Sequence, residues 1–280
     1  MALKDILVHI DNGRHCTARL DAALALAAAH DAHLTGLYVI THPRIPGYVR
    51  AQLPDDLIAQ QERATVAAAA RAERTFTDHL QRAGINGEWR CVEGAQAPML
   101  SMHGRYADVV VAGQRDTSGD EGVDDPAMPD QLILGLGRPV LVIPYGGEFP
   151  AIGNRVLVAW DASRLATRAI NDAMPFLETA KEVIVLAVNP KREDGEGGHG
   201  EIPSADICLH LARHRIRTEA QHLYADDLSA GEVLLSRAVD EGIDLIVCGA
   251  YGHARWRELV LGGVTRHLLE HMTIPVLMSH

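Results

Sequence analysis

Asp244-Leu-Ile-Val-Cys-Gly249-Ala-Tyr-Gly252, nine further residues, and then Gly262-Gly263-Val264-Thr265 form the stretch around which the chain is organised. Residues 244–248 are a short aliphatic run of the kind that makes a strand buried on both faces. Leu268, Leu269 and Met272 continue a helical face begun at Val264. Glycines therefore sit where a strand ends and again where a helix begins. In that arrangement backbone N–H groups can close around a phosphate, and the helix N-terminus adds favourable potential. Thr265 supplies a hydroxyl in the first turn. Glycine spacing alone is equally compatible with a loop that needs positive φ and a plain helix cap.

Working outward, the same run recurs. Asp108-Val-Val-Val-Ala-Gly113 matches 244–249 at an offset of 136, and Pro139-Val-Leu-Val142 matches Pro275-Val-Leu-Met278 at the same offset. Ile6–Ile10, ending at Asp11, matches Val156–Trp160, ending at Asp161, at an offset of 150. The order is the same in both halves, which is the signature of an internal duplication. The change of offset places about fourteen extra residues in the middle of the first copy.

Strands are expected at 6–10, 34–40, 88–92, 108–112 and 139–143, with helices at 17–30, through alanines 67–70 to Gly84, and at 97–105. Residues 41–54, with Pro43, Pro46, Gly47 and Pro54, read as a loop. The second copy gives strands at 156–160, 183–188, 218–224, 244–248 and 275–278. Its helices are expected at 163–174, 204–214, 229–241 and 264–272, Pro175 marking the end of the first and Gly242 that of the third. Short aliphatic strands alternating with helices imply an α/β fold with parallel sheets covered on both faces. The expectation is two tandem doubly wound domains, 1–145 and 154–280, divided at Tyr145–Pro150. Ligands in such sheets sit beyond the carboxyl ends of the strands, so Asp161, Val188 and Gly249 converge on one crevice.

With 47% hydrophobic but only 4% aromatic residues, the core has to be aliphatic. A formal charge of −11 argues against nucleic acid or an anionic membrane as partner. Cys16, Cys91, Cys208 and Cys248 form no CxxC pair, which fits a reduced chain. No stretch has the length of a signal peptide or membrane span, so a cytoplasmic location is expected.

These motifs resemble the universal stress protein family in its tandem form. That family's phosphate loop runs Gly-x2-Gly-x9-Gly-(Ser/Thr), usually followed by Val, and Gly249, Gly252, Gly262 and Val264 fit it at the right spacing. A first strand ending in Asp (Asp161), an Asp before an aliphatic strand (Asp108, Asp244) and a late Pro-Val-Leu are further shared habits. The resemblance spans nearly all of both halves. It implies a role in stress response or signalling through binding of an adenine nucleotide, ATP or AMP, with Mg at most accompanying ATP. Ala159, Asp161 and the backbone near Val188 would meet the adenosine portion. Gly249, Gly252, Gly262, Gly263, Val264 and Thr265 would surround the phosphates. It also implies an intramolecular pseudo-dimer packed about a pseudo-twofold axis, strands 139–143 and 275–278 pairing or lying close across it as in dimers of single-domain relatives, with a protein partner unidentified and a homodimer of the whole chain a further option. Gly263 departs from the pattern, since Ser or Thr is usual there. Losing one charge-assisted hydrogen bond of roughly 1.5–3 kcal/mol weakens binding by one or two decades. The alternative is an interaction or scaffold protein of the same fold that binds no nucleotide.

In the first copy Gly252 maps to Asp116, Gly262 to Pro126, Gly263 to Ala127 and Thr265 to Pro129. Proline donates no N–H, and residues 116–130 carry six carboxylates and no basic residue. Only the second copy is therefore expected to bind nucleotide. His267 and His271 have a spacing that can share a metal, but surface solvation suits them better. Arg255 and Arg257, in the nine-residue spacer, could reach a phosphate or be solvated. The chain has neither a G-x-x-x-x-G-K-[ST] loop nor a G-x-S-x-G elbow. Ser163 reads as a helix N-cap. With no general base evident, any ATP hydrolysis would be slow.

Overall fold

The computed structural model describes residues 2–42, 54–114, 127–190, 204–225, 227–250 and 262–280. In the first half β1 (Asp5–Ile10), β2 (His33–Ile40), β3 (Gly87–Glu93), β4 (Val109–Gly113) and β5 (Val140–Ile143) alternate with α1 (Cys16–His30), α2 (Asp55–Ala83), α3 (Gln96–Gly104) and α4 (Met128–Leu136). The second half holds β6 (Arg155–Ala159), β7 (Glu182–Val188), β8 (Thr218–Leu223), β9 (Leu245–Gly249) and β10 (Val276–Ser279). Its helices are α5 (Arg164–Leu177), α6 (Ala205–Arg213), α7 (Ala230–Asp240) and α8 (Gly263–His271).

All ten strands join one sheet in the order β3-β2-β1-β4-β5-β10-β9-β6-β7-β8. Pairing is parallel within each half. The halves meet where β5 and β10 pair antiparallel, with Val140 opposite Met278, Leu141 opposite Leu277 and Val142 opposite Val276. Leu141 and Leu277 are equivalent positions of the repeat, so the pseudo-twofold axis passes between them.

Both sheet faces are buried, which is why the strands read as continuous aliphatic runs. Ile6, Val8, Val109, Val111, Val156 and Val158 face α1, α2, α5 and α6. Leu7, Val110, Ala112, Leu157 and Ile246 face α3, α4, α7 and α8. Gly36 lets Phe76 of α2 lie flat on β2, since a Cβ there would be 2.6 Å from the ring. Asp108 and Asp244 are clamps at the sheet's amino edge. Asp108 accepts N–H bonds from Lys4 (2.7 Å) and Asp5 (3.1 Å), while Asp244 accepts from Gly153, Asn154 and Arg155 at 2.8–3.1 Å.

Two details differ from the sequence reading. Residues 128–136 form α4, where only an interval between strands was expected. Proline in its first turn costs no helical bond, because the N–H groups there are orphans in any helix, and Gly137 closes it at φ 76°. Helix α5 runs three residues past the expected end, to Leu177, carrying Pro175 in its last turn. The loop expected over 41–54 falls mostly outside the described residues. The extra length of the first copy goes at least partly into α2, with 29 residues against 9 in its counterpart α6.

Candidate functional site

Two residues past the end of β6 stands Asp161, whose Oδ1 accepts the Ser163 N–H at 3.0 Å. That turn holds Ala162 at φ 58°, a left-handed conformation costly for alanine and stabilised here by the closing bond. Ser163 caps α5 as expected, its Oγ accepting the Ala166 N–H at 3.1 Å. On β7 the period of two sets Leu186 and Val188 on one face. Asn189 follows in the left-handed region, and its side chain both accepts from and donates to the backbone of Ala225, at 2.8 and 3.0 Å. Strand β9 ends at Gly249, against the first turn of α5. A Cβ on Gly249 would lie 2.6 Å from the Leu165 carbonyl carbon and 2.7 Å from the Ala166 nitrogen. Glycine is needed there for close approach, not for positive φ.

These ends surround one cavity of about 190 Å³. Ala159, Asp161, Val188, Gly249, Gly262, Gly263, Val264 and Thr265 all line it. Gly252, Arg255 and Arg257 lie outside the described residues. Gly262 caps α8 without a side-chain hydrogen bond, so the first N–H groups of that helix front the cavity. Gly263 has open space at its Cβ position. Thr265 is buried. The lining that sequence reasoning missed is Trp160, Leu165, Ala166, Leu186, Ala230, Leu234 and Cys248. Strand periodicity could have supplied Leu186 from Val188, and helical spacing couples Ala230 to Leu234. Asp161 is exposed, and among the described residues no cation pairs with it. Cys248 has its thiol pushed up to about 12, first by burial and then by the Asp161 carboxylate, so it is a thiol and not a nucleophile.

The equivalent crevice of the first half differs. It is a chamber of about 40 Å³ lined by His9, Asp11, Arg19, Gln96, Gln114 and Tyr145 among others. Arg19 reaches in from α1. Its Nε donates to the His9 carbonyl and its Nη2 to Asp11 Oδ2, both at 2.7 Å, and its Nη1 lies 2.5 Å from where a Gly113 Cβ would stand. At the repeat offset Arg19 corresponds to Ala169 and His9 to Ala159. The inner part of the crevice, open in the second half, is thus filled by side chains in the first, while a wider cleft of about 530 Å³ remains beside Asp11 and Val39. Its charge was read from residues 116–130 alone, most of which lie outside the described residues. Arg19 corrects that account, since it places a buried cation there. A charged residue among the alanines of α1 was the available signal. Pro129 lines the chamber at the start of α4, where Thr265 stands in α8.

Burial pushes the His9 imidazole down to about 4, Arg19 adding to the effect and Asp11 opposing it. Asp11 is held below the usual carboxylate range by Arg19, against its own burial. The rings of His267 and His271 stack at 4.4 Å, and His271 Nδ1 lies 3.1 Å from the His267 carbonyl. No group of three or more potential ligands is placed to hold a metal among the described residues. No helix among them is long and apolar enough to cross a membrane.

A model of the universal stress protein family matches residues 2–144 and again 153–280. Universal stress protein Slr1230 of Synechocystis is 27% identical over 172 residues, which are 61% of this chain and 57% of that protein. The chain thus matches little more than half of that relative's length. A universal stress protein from Archaeoglobus fulgidus has the same fold, with a TM-score of 0.76 and 14% identity over 98% of this chain and 95% of that one. A putative universal stress protein from Pseudomonas aeruginosa superposes with a TM-score of 0.61 at 14% identity, covering 99% and 93%.

Proposed function

The chain belongs to the universal stress protein family, and on that premise we propose that residues 154–280 form a unit that binds an adenine nucleotide, ATP or AMP, in stress response or signalling. Residues 1–145 form its degenerate partner unit. The observation carrying this is the single cavity where the ends of β6, β7 and β9 meet the uncapped start of α8. Backbone N–H groups and the helix dipole there suit a phosphate. Trp160, Leu186, Val188 and Leu234 suit the apolar faces of a base, as in most small-molecule sites. Asp161, exposed and with no cation paired to it among the described residues, suits a ribose hydroxyl. The inner part of the first crevice, about 40 Å³, is taken up by Arg19, which stands where the second half has Ala169. The role is that of a sensor, with ATP turnover slow at most.

One observation favours the rival reading, a scaffold that binds no nucleotide. Gly263 brings no hydroxyl to the phosphate position. Equilibrium dialysis with ATP and AMP separates the two, and the control is Gly252→Asp, which copies the first-half residue. Uptake by the native chain, abolished in the variant, supports the nucleotide site. No uptake, or uptake unchanged by Gly252→Asp, removes it.

A further inference from the structure

The amino-terminal chamber has a chemistry that the nucleotide reading does not use. His9 is 3% exposed, and among the described residues neither ring nitrogen has a hydrogen-bond partner. Nδ1 stands 3.9 Å from Asp11 Oδ2, too far to bond. A neutral imidazole carries one donor and one acceptor, and both are costly to bury unmet. We propose that this chamber is a binding site for one small planar oxyanion, of the size of formate, taken up together with one proton.

Size sets the first limit. A dry cavity of roughly 150 Å³ admits benzene, while a single water needs about 10–15 Å³. The chamber, at about 40 Å³, lies between them and holds a ligand of a few heavy atoms. Hydrogen bonding sets the second. Gln114 Oε1 is taken by the Tyr145 N–H, leaving its NH₂ group as a donor. Arg19 has further N–H groups beyond those on His9 and Asp11. Asp11 has both oxygens engaged, by Gly13 and Arg19. Donors outnumber acceptors, so the chamber calls for an acceptor.

Charge sets the third limit. Asp11 and Arg19 cancel, and a lone anion added to a buried neutral site is strongly disfavoured. A proton on His9 restores the balance. His9 then carries two donors, one for the anion and one for Asp11 Oδ2 across a gap that a small ring movement closes. The titratable groups that share the chamber are Asp11 just past β1, His15 and Arg19 from the α1 side, and Tyr145 after β5; behind Arg19 and bonded to it is the Cys16 thiol, which burial pushes up and keeps neutral. From α3 and α4 come Gln96, Met128 and Pro129, which carry no charge. His15 has both nitrogens occupied, by the Tyr145 carbonyl and by Arg14 Nε. His9 is therefore the group that takes the proton. Without an anion, burial keeps it neutral near pH 7. A wider cleft of about 530 Å³ shares Asp11 and Gln96 with the chamber.

The test is a titration of the full chain with sodium formate, read from the imidazole ¹⁵N resonances at pH 5 and pH 7 with ionic strength fixed. The expected result is that His9 changes from neutral to doubly protonated as formate is added, with affinity rising about tenfold per unit fall in pH, as uptake of one proton requires. His9→Gln keeps a donor and cannot take the proton, so its formate affinity should lose the pH dependence. Its fold is checked by the unchanged resonances of the other histidines. A His9 that stays neutral at saturating formate overturns the proposal. So does a pH dependence that survives in His9→Gln, or an equal response to chloride.

Discussion

Substituting alanine at Gly249 tests whether the cavity is shaped by contact between β9 and α5. The added Cβ would meet Leu165 C at 2.6 Å, Ala166 N at 2.7 Å and Leu165 Cβ at 2.8 Å. Two of these are backbone atoms in the first turn of a helix and cannot rotate away. Carbon atoms pack at roughly 3.5–4.0 Å, so strand and helix must part by about 1 Å. Overpacking of this kind costs about 1–3 kcal/mol. In a chain of this size each kcal/mol lowers the unfolding midpoint by roughly 2–4 °C. Gly263→Ala is the matched control. Nothing lies within 4 Å of its Cβ position, in the first turn of α8. Restricting the unfolded chain there should add roughly 0.4–1 kcal/mol of stability. Thermal unfolding followed by circular dichroism compares the two, and amide exchange in β9 and α5 localises the loss. If Gly249→Ala melts at or above the native midpoint, or if the control loses as much, the close-approach argument is wrong.

Gly263→Ser restores the family hydroxyl in open space, and dialysis should show AMP held about tenfold more tightly, the lower end of one charge-assisted bond. Asp244→Ala orphans three backbone N–H groups, and a loss on the order of 2–4 kcal/mol is expected in urea unfolding, with a smaller loss for Asp108→Ala, which frees two. His9 titrates at 6.5 when unfolded and about 4 when folded, so the unfolded chain binds the extra proton between those values. Stability of the first half should therefore fall by about 3 kcal/mol as pH drops from 6.5 to 4 in formate-free buffer, and His9→Gln should flatten that slope. Asp11, whose folded value is depressed, adds a further loss only below its unfolded 3.8. Thiol labelling of the native protein should reach exposed Cys91 first and leave buried Cys16 and Cys248 untouched until unfolding, as mass spectrometry of digested samples would show.

Much of the fold was legible because the strands bury both faces and so announce themselves as Val/Ile/Leu runs, and because the repeat made each half a check on the other. The junction of β5 with β10 was expected from the family resemblance, whose single-domain members pair these edges as dimers. What escaped notice was governed by exceptions to local rules. Helix α4 hides behind Pro129, a residue harmless in a first turn but conspicuous as a breaker. Pro175 was read as a stop, although packing of Ala173, Phe176 and Leu177 holds the helix past it. At the second-half cavity the glycines were visible because they break the aliphatic pattern, whereas Leu165, Leu186 and Leu234 were not, since lining and core leucines look alike in sequence. In the first crevice the acidic loop dominates the sequence, yet the decisive residue is Arg19, which approaches from a helix more than ninety positions earlier in the chain.

The antiparallel seam between β5 and β10 reverses the direction of every strand beyond it. The carboxyl ends of β1 and β4 therefore point toward one rim of the sheet and those of β6 and β9 toward the other. The two crevices open back to back, and a single globular partner seated over one mouth leaves the other free to exchange its contents with solvent. What joins them is the seam at Leu141 and Leu277 together with the helix contacts beside it, Arg168 on the Gly137 carbonyl and His30 against Phe176.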